Sequence, residues 1–130
     1  MVYAQSSPTK NRVYYVYDLM NHQAIYTTSS VASLLGYTST EISELEESDL
    51  AKLIHPDDLG SVSEHYQKFY ALHYGEVIAL KYRMRRRDGS WCWLLSQETL
   101  LMSWEIENPS QVLGVIEDVT QSLKLIDRLS

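Results

Sequence analysis

Cysteine and long apolar runs are nearly absent from this sequence. Cys92 is the single cysteine among 130 residues, so an internal disulfide is impossible, and a lone thiol suits a reducing compartment. No apolar run approaches the roughly 18 residues of a transmembrane helix, and the N-terminus lacks the apolar core of a signal peptide. We therefore expect a cytoplasmic segment with no direct membrane insertion.

Basic residues are also scarce. There are 11 Lys and Arg against 17 Asp and Glu, which gives a formal net charge of −6. An acidic chain repels nucleic acid unless its basic residues cluster. Five of them do cluster, at the solvent face and end of one predicted strand before a hairpin turn: Lys81, Arg83, Arg85, Arg86 and Arg87. We interpret the cluster as a solvated edge and expect no nucleic-acid partner.

The apolar and aromatic fraction, 45%, suits one domain with a single core. Alternating Val- and Tyr-rich stretches predict five strands, over 12–19, 24–28, 76–86, 90–102 and 112–119. Because strands do not alternate with helices, the predicted fold class is α+β, with an antiparallel sheet and helices on one face. The predicted organisation is a flexible leader, a domain and the start of a C-terminal linker helix, over residues 1–11, 12–121 and 122–130.

Three short helices are predicted between the second and third strands. Ser29, Thr38 and Ser48 are the expected N-caps, because serine and threonine side chains accept hydrogen bonds from the first turn. Thr38 and Glu41 have the spacing of a capping box, in which each side chain bonds the backbone of the other residue.

The stretch "IHPDDL" raises the question of a metal or acid/base site, because His55 stands beside two aspartates. The pattern is also typical of a helix start. Pro56 suits the first helical position, and Asp57 and Asp58 then interact favourably with the helix dipole. Apolar residues continue at helical spacing to near Leu72, so we predict a helix and no metal site. No nucleophile–base pair or phosphate-binding glycine loop is visible, so we expect this segment to be non-catalytic.

Four stretches resemble a PAS domain with a C-terminal PAC motif: "SVASLLGYTSTEI", "LIHPDDLGSV", "YRMRRRDGSWCWL" and "LGVIEDVTQ". The resemblance covers about residues 12–121. It implies a five-stranded antiparallel sheet of order 2-1-5-4-3, short helices across one face and a C-terminal signalling helix. The closing "EDVT" resembles the junction between the last strand and that helix, which assigns Asp118 and Thr120 to the signal junction.

PAS domains are sensory and dimerising modules, so the resemblance implies a regulatory input domain in bacterial signal transduction. The expected full-length protein is a sensor histidine kinase of a two-component system, or a diguanylate cyclase. Ligand or dimer state would then pass through the C-terminal helix to an output domain in the same chain. The alternative is a constitutive dimerisation or protein-interaction module with no ligand.

The cofactor signatures of the family are missing. The helical region lacks the reactive cysteine of flavin-binding members, and Cys92 lies on a predicted strand, where we interpret it as a small buried residue. Haem-binding members use a histidine on the long helix, which makes His65 the possible haem ligand. Its spacing places it at the flank of the apolar face, as an ordinary polar residue, so no cofactor is expected.

By alternation, and by resemblance to the flavin-binding members, a pocket lies between the sheet and the helices. Its expected lining is Leu35, Leu53, Ile54, Phe69, Tyr82, Met84, Leu94, Ser96 and Ile116. A filled core without a ligand is the alternative.

The strand over 90–102 is apolar on both faces, so its second face needs a cover. We expect a homodimer built on that outer face, because large apolar patches are rare on monomers and tryptophan is enriched among interface hot spots. The alternative is that the leader folds back within one chain and covers this face with Val2 and Tyr3. The expected dimer face is Trp91, Trp93, Leu95, Leu113 and Val115.

Overall fold

The computed structural model describes residues 11–101 and 110–129. The predicted leader and the loop after the fourth strand lie largely outside these residues. In the described residues the strands are β1 (Arg12–Asp18), β2 (Gln23–Thr27), β3 (Val77–Arg85), β4 (Trp91–Leu100) and β5 (Gln111–Asp118). The helices are α1 (Val31–Leu34), α2 (Ser39–Glu44), α3 (Glu47–Ala51), α4 (Leu59–Lys68) and α5 (Thr120–Leu129).

The five strands form one antiparallel sheet of order β2-β1-β5-β4-β3. This confirms the predicted fold class and strand order. Chain-adjacent strands pair as the hairpins β1–β2 and β3–β4, and β5 is inserted between the two hairpins. The sheet therefore joins the N-terminal hairpin to the C-terminal half, and α5 leaves from its central strand.

Two apolar clusters fill the space between the inner face of the sheet and the helices. On β4, alternate residues from Cys92 to Leu100 are buried, as period-2 patterning requires. The larger cluster comprises Val13, Leu34, Leu35, Tyr82, Met84, Cys92 and Leu94. The smaller cluster comprises Phe69, Leu100 and Val112.

Of the three N-caps predicted for the short helices, one is confirmed and two are formed by other residues. The capping box of Thr38 and Glu41 is confirmed, with bonds of 2.9 and 3.2 Å. The cap of α1 is Ser30 rather than Ser29. The cap of α3 is Glu46 rather than Ser48, because the Asp49 carboxylate accepts a bond from the Glu46 N–H at 3.0 Å.

The segment at His55 is a helix start, as predicted. A 3-10 turn over Pro56–Asp58 leads into α4, and a second 3-10 turn ends at Ala71. His55 is the cap, and its Nδ1 accepts a bond from the Asp57 N–H at 3.0 Å. Within the described residues, no group of three or more His, Cys, Asp and Glu side chains is placed to hold a metal ion. No described helix is long and apolar enough to cross a membrane.

Candidate functional site

A cavity of about 580 Å³ lies where the β1–β2 edge of the sheet meets α1, α3 and α4. It opens towards β2, whose five residues are all exposed. Its volume falls within the roughly 300–1,000 Å³ that is typical of small-molecule pockets. The walls are Val13, Tyr15, Tyr17, His22, Ala24, Thr27, Ser29, Ser30, Val31, Glu47, Tyr66 and Ile116.

The observed cavity lies at a different position from the pocket that was predicted from the sequence. Of the nine residues predicted to line a pocket, Ile116 alone lies among the described wall residues. The larger apolar cluster contains four of the others: Leu35, Tyr82, Met84 and Leu94. Leu53 and Ile54 pack against that cluster. Phe69 belongs to the smaller cluster, and Ser96 is buried beside Tyr82. Large side chains interdigitate and fill the space below β3 and β4, whereas Ala24, Ser29 and Ser30 leave volume at the opposite edge.

A buried carboxylate lies behind one wall of the cavity. Glu98 on β4 is 2% exposed, and each of its oxygens has one partner within the described residues. Tyr15 Oη donates to Oε2 at 2.5 Å, and His65 Nε2 lies 2.5 Å from Oε1. Burial, followed by the neighbouring Glu98 charge, raises the pKa of Tyr15, so this hydroxyl remains the donor. Because Tyr15 also lines the cavity, a ligand would lie one side chain away from Glu98.

The expectation for His65 was wrong. It is 5% exposed rather than an ordinary polar residue at the flank of the apolar face, and its ring packs edge-on against Phe69 with centroids 5.7 Å apart. The helix turns the histidine inward because Glu98 offers a hydrogen-bonding partner inside the core. The nitrogen that would bind a haem iron is therefore already engaged by a carboxylate.

Gly114 makes the contact between Tyr15 and Glu98 possible. It lies between them in the sheet, paired with Tyr15 across β1–β5 and with Glu98 across β4–β5. A Cβ at this position would overlap two ring atoms of Tyr15. The absence of a side chain at Gly114 thus lets the tyrosine ring lie across β5 and reach the carboxylate.

Aromatic side chains close one end of the cavity. Tyr70 Oη lies 2.5 Å from His22 Nδ1 and 3.4 Å from Tyr17 Oη. These contacts join the β1–β2 turn to the 3-10 turn that follows α4. Beneath them, Phe69 packs against the rings of Tyr17 and Tyr66, with centroids 5.4 and 5.1 Å apart. Phe69 therefore supports two tyrosines of the cavity wall from behind.

The predicted signal junction is held by Arg86, which follows β3. Its Nη2 donates to Asp118 at 2.8 Å and to the Thr120 hydroxyl at 3.2 Å. Its Nη1 donates to the carbonyl of Leu34, at the end of α1, at 3.0 Å. The Thr120 hydroxyl also accepts a bond from the Trp93 N–H at 2.9 Å. One guanidinium thus joins α1, the end of β5 and the first residue of α5.

Hydrogen bonding fixes the charge state of the junction. Burial by itself would raise the pKa of Asp118, but the bonds from Thr120 and Arg86 outweigh it and hold this pKa below its ordinary value. Cys92 lies next to Thr120 and is fully buried, and burial raises the pKa of its thiol to about 11. This cysteine is therefore a thiol at neutral pH, with little reactivity.

The tryptophans of β4 lie on the outer face, opposite the buried positions of that strand. The Arg85 guanidinium lies 5.0 Å from the ring centroid of Trp91, and that of Arg83 lies 5.0 Å from the ring centroid of Trp93. Each indole is consequently half-buried within one chain. Cation–π contact explains why two arginines on β3 face two tryptophans on β4.

Leu95 and Val115 are also half-buried on this outer face, and Leu113 is 39% exposed. The alternative prediction, that Val2 and Tyr3 of the leader cover this face, concerns residues outside those that the structure describes. The face thus keeps an apolar centre next to a positively charged edge.

The basic cluster is largely paired with carboxylates of the same chain. Arg83 binds Asp58 through two parallel bonds of 2.9 Å, and its backbone N–H adds a third at 2.8 Å. Arg86 binds Asp118, and Arg87 binds Glu41 at 2.8 Å. Three of the five positive charges are therefore compensated internally.

The comparison with known families decides the relationship. The PAS_3 family, described as PAS fold, matches residues 24–116, which is more than half of the chain. The chain belongs to the PAS family. White collar 2 protein of Neurospora crassa is 37% identical over 71 residues, which are 55% of this chain and 12% of that protein. The chain thus spans a small part of this curated relative.

Solved structures share the PAS fold. An RNA-binding Light-Oxygen-Voltage receptor matches with a TM-score of 0.68 at 17% identity, over 92% of this chain and 31% of that chain. A sensory box histidine kinase/response regulator from Burkholderia thailandensis matches with a TM-score of 0.62 at 23% identity, over 99% of this chain and 92% of that chain. At these identities the likeness shows the fold. The family match and the solved structures therefore agree on a PAS fold, with neighbours in kinases and light receptors.

Sequence reasoning missed the buried cluster of Tyr15, His65 and Glu98. A signal for it was present, because Glu98 continues the inward-facing series of Leu94 and Ser96 on β4 at the period of two. A carboxylate at an inward position requires buried partners. Its partners lie 33 and 83 residues away in the chain, so no local pattern identifies them.

Proposed function

We propose that this PAS domain is the sensory input of a larger signalling protein, in which occupancy of the cavity repositions α5. A sensor histidine kinase is the output that we favour, since a structural neighbour belongs to a sensory box histidine kinase/response regulator. The domain itself performs no catalysis. The output domain would follow α5 in the same chain, and the protein would work in the cytoplasm without a nucleic-acid partner.

The observation that carries the proposal is the set of bonds made by Arg86. Val31, the first residue of α1, lines the cavity, and the Leu34 carbonyl at the other end of α1 accepts a bond from Arg86. The same guanidinium holds Asp118 and Thr120, where α5 begins. A ligand that shifts α1 would therefore act on the first turn of α5 through one side chain.

A fragment screen by NMR tests whether the cavity binds small molecules. The library contains neutral, anionic and cationic fragments, and the control is Ala24→Trp, which places an indole at the cavity wall. We expect saturable binding to the wild type with amide shifts in the cavity walls, and no binding to Ala24→Trp. A library without any binder would contradict the sensory function.

We also propose that the domain carries neither haem nor flavin. The engagement of His65 Nε2 by Glu98 supports this, as does the lack of a cysteine in the helical region. Purified protein should be colourless, and a stoichiometric visible absorption band would contradict the proposal.

A homodimer on the outer face remains a proposal, and it carries the second candidate function, a constitutive dimerisation module. The apolar centre between Trp93, Leu95 and Leu113 favours it. Sedimentation of the wild type and of a Trp91→Ala, Trp93→Ala double variant tests it, with Glu44→Ala as a control at an exposed site on α2. We expect the double variant alone to be monomeric at micromolar concentration. A monomeric wild type would contradict the proposal.

A further inference from the structure

The wall of the cavity carries a negative charge. Glu47, in the first turn of α3, is its one carboxylate, and the described lining includes no arginine or lysine. His22 also lines the cavity, and its Nδ1 lies 2.5 Å from Tyr70 Oη. An anionic ligand would therefore find no guanidinium or ammonium group with which to pair.

Tyrosine rings form much of the remaining surface. Tyr15, Tyr17 and Tyr66 all line the cavity. The rings of Tyr17 and Tyr66 have centroids 6.0 Å apart and are inclined at 51°, so the two rings lie side by side in the cavity wall. The face of an aromatic ring carries partial negative charge and attracts cations that lie within about 6 Å of its centroid.

The carboxylate of Glu47 acts on the same two rings. Burial, a hydrogen bond with Tyr70 and nearby charges that include Glu47 raise the pKa of Tyr17. Burial and the charges of Glu98 and Glu47 raise the pKa of Tyr66. Both tyrosines therefore remain neutral at physiological pH, with a fixed negative charge beside them.

We propose that the cavity binds a small organic cation with an alkylated ammonium head, which deepens the sensory function proposed above and rests on it. The head lies against the rings of Tyr17 and Tyr66 in the cavity wall, with Glu47 as its counter-ion. Aromatic faces recognise an alkylated ammonium group well, because it spreads its charge over methyl groups that pack against rings. The hydroxyls of Thr27, Ser29 and Ser30 offer hydrogen bonds to a polar tail.

Choline and 3,3-dimethylbutan-1-ol are the probes that test this inference. They have the same shape, and they differ in having a charged nitrogen or a neutral carbon at the branch point. Calorimetric and NMR titrations are run at constant ionic strength. We expect choline to bind saturably and about tenfold or more tightly than the alcohol, which is the order of magnitude expected from a cation–π contact reinforced by one carboxylate.

Matched variants locate the site. Glu47→Gln should weaken choline binding by about tenfold and leave the alcohol unaffected, because it removes the charge and keeps the shape. Glu44→Gln, an exposed glutamate on α2 outside the cavity wall, should change neither ligand. Tyr66→Leu should lose most of the choline affinity, whereas Tyr66→Phe should keep it, because the phenyl ring retains the aromatic face. Thermal melts check that each variant is folded.

The outcomes separate this inference from the proposed function. If choline binds no more tightly than the alcohol, or binds equally well to Glu47→Gln, the cation inference is overturned. A neutral or anionic binder from the fragment screen would then leave the sensory function standing. If no fragment of any class binds, both fail.

Discussion

Two polar clusters hold this domain together, and they differ in burial and in how the sequence encodes them. Glu98, with Tyr15 and His65, lies inside the core, where the carboxylate side chain is 1% exposed. The junction of Arg86 with Asp118 lies at the margin, with the two side chains 24% and 19% exposed. The buried cluster joins residues far apart in the chain, whereas two of the three acceptors of the junction, Asp118 and Thr120, lie two residues apart.

The difference in burial separates a structural role from a switching role. Removing one partner of a fully buried pair leaves an uncompensated charge, which costs several kcal/mol. A partly exposed arginine can exchange partners with water at a lower cost. We propose that the Glu98 cluster fixes the shape of the cavity wall, and that the Arg86 junction is the part that rearranges when the cavity is filled.

The largest expected effect comes from Glu98→Ala. It should lower the free energy of unfolding by about 3–5 kcal/mol, because the hydroxyl of Tyr15 and the ring of His65 are left in the core without their acceptor. Urea denaturation measures the loss. A variant that replaces the cluster with apolar residues, Glu98→Leu with His65→Leu and Tyr15→Phe, should recover much of it. A cost below about 1 kcal/mol for Glu98→Ala would mean that the carboxylate is hydrated, contrary to its burial.

Gly114→Ala has the next largest expected effect on stability, and it tests the same cluster from the backbone side. The new methyl group must displace the ring of Tyr15, so we expect a loss of about 2–4 kcal/mol from overpacking and from the broken bond to Glu98. The same change on a Tyr15→Ala background should cost less than about 1 kcal/mol, because the obstructing ring is gone. Equal costs in both backgrounds would show that the ring does not lie over Gly114.

Arg86→Ala probes the junction. It removes the donor to Asp118, Thr120 and the Leu34 carbonyl, and we expect a loss of about 2–3 kcal/mol in unfolding free energy. Hydrogen exchange should also become faster in α5, which begins at Thr120. The control is Arg85→Ala, which changes the adjacent arginine on the outer face and should leave exchange in α5 unchanged. Identical α5 exchange in both variants would contradict the role of Arg86.

The smallest effect concerns the two aspartates before α4. Asp58→Asn should cost about 1–2 kcal/mol at pH 7, because it breaks the two-bond pair with Arg83, whereas Asp57→Asn should cost less than about 0.5 kcal/mol. Hydrogen bonds from Arg83, opposed by burial, lower the pKa of Asp58. Its contribution is therefore present above the unfolded-state pKa of about 4 and is lost as the pH falls below it.

Denaturation of the wild type and Asp58→Asn across this acidic range checks the sign of that dependence. The stability difference between the two proteins should shrink as the pH falls. A difference that is constant from pH 7 into the acidic range would contradict the account.

The sequence predicts the sheet, its strand order and the helix start at Pro56, because these depend on local periodicity and turn chemistry. It also places Asp118 and Thr120 at the start of the C-terminal helix, because they lie in one short motif that resembles the family signature, and their role in signalling stays a prediction. The cavity was misplaced, since alternation identifies inward-facing residues but not how well large side chains fill the space between layers. The partners of Glu98 and Asp58 were missed for a related reason: ion pairs across the fold depend on tertiary distances that no local pattern contains.

Hydrogen exchange in α5, measured with the cavity empty and filled, tests the central claim most directly. The ligand is the tightest binder of the fragment screen, and the amides of Thr120–Leu129 are followed in the wild type and in Arg86→Ala. We predict that filling the cavity changes α5 exchange by about threefold or more in the wild type, and that Arg86→Ala abolishes this response. Changes confined to the cavity walls, with α5 exchange unaltered in the wild type, would contradict the claim that the cavity controls α5.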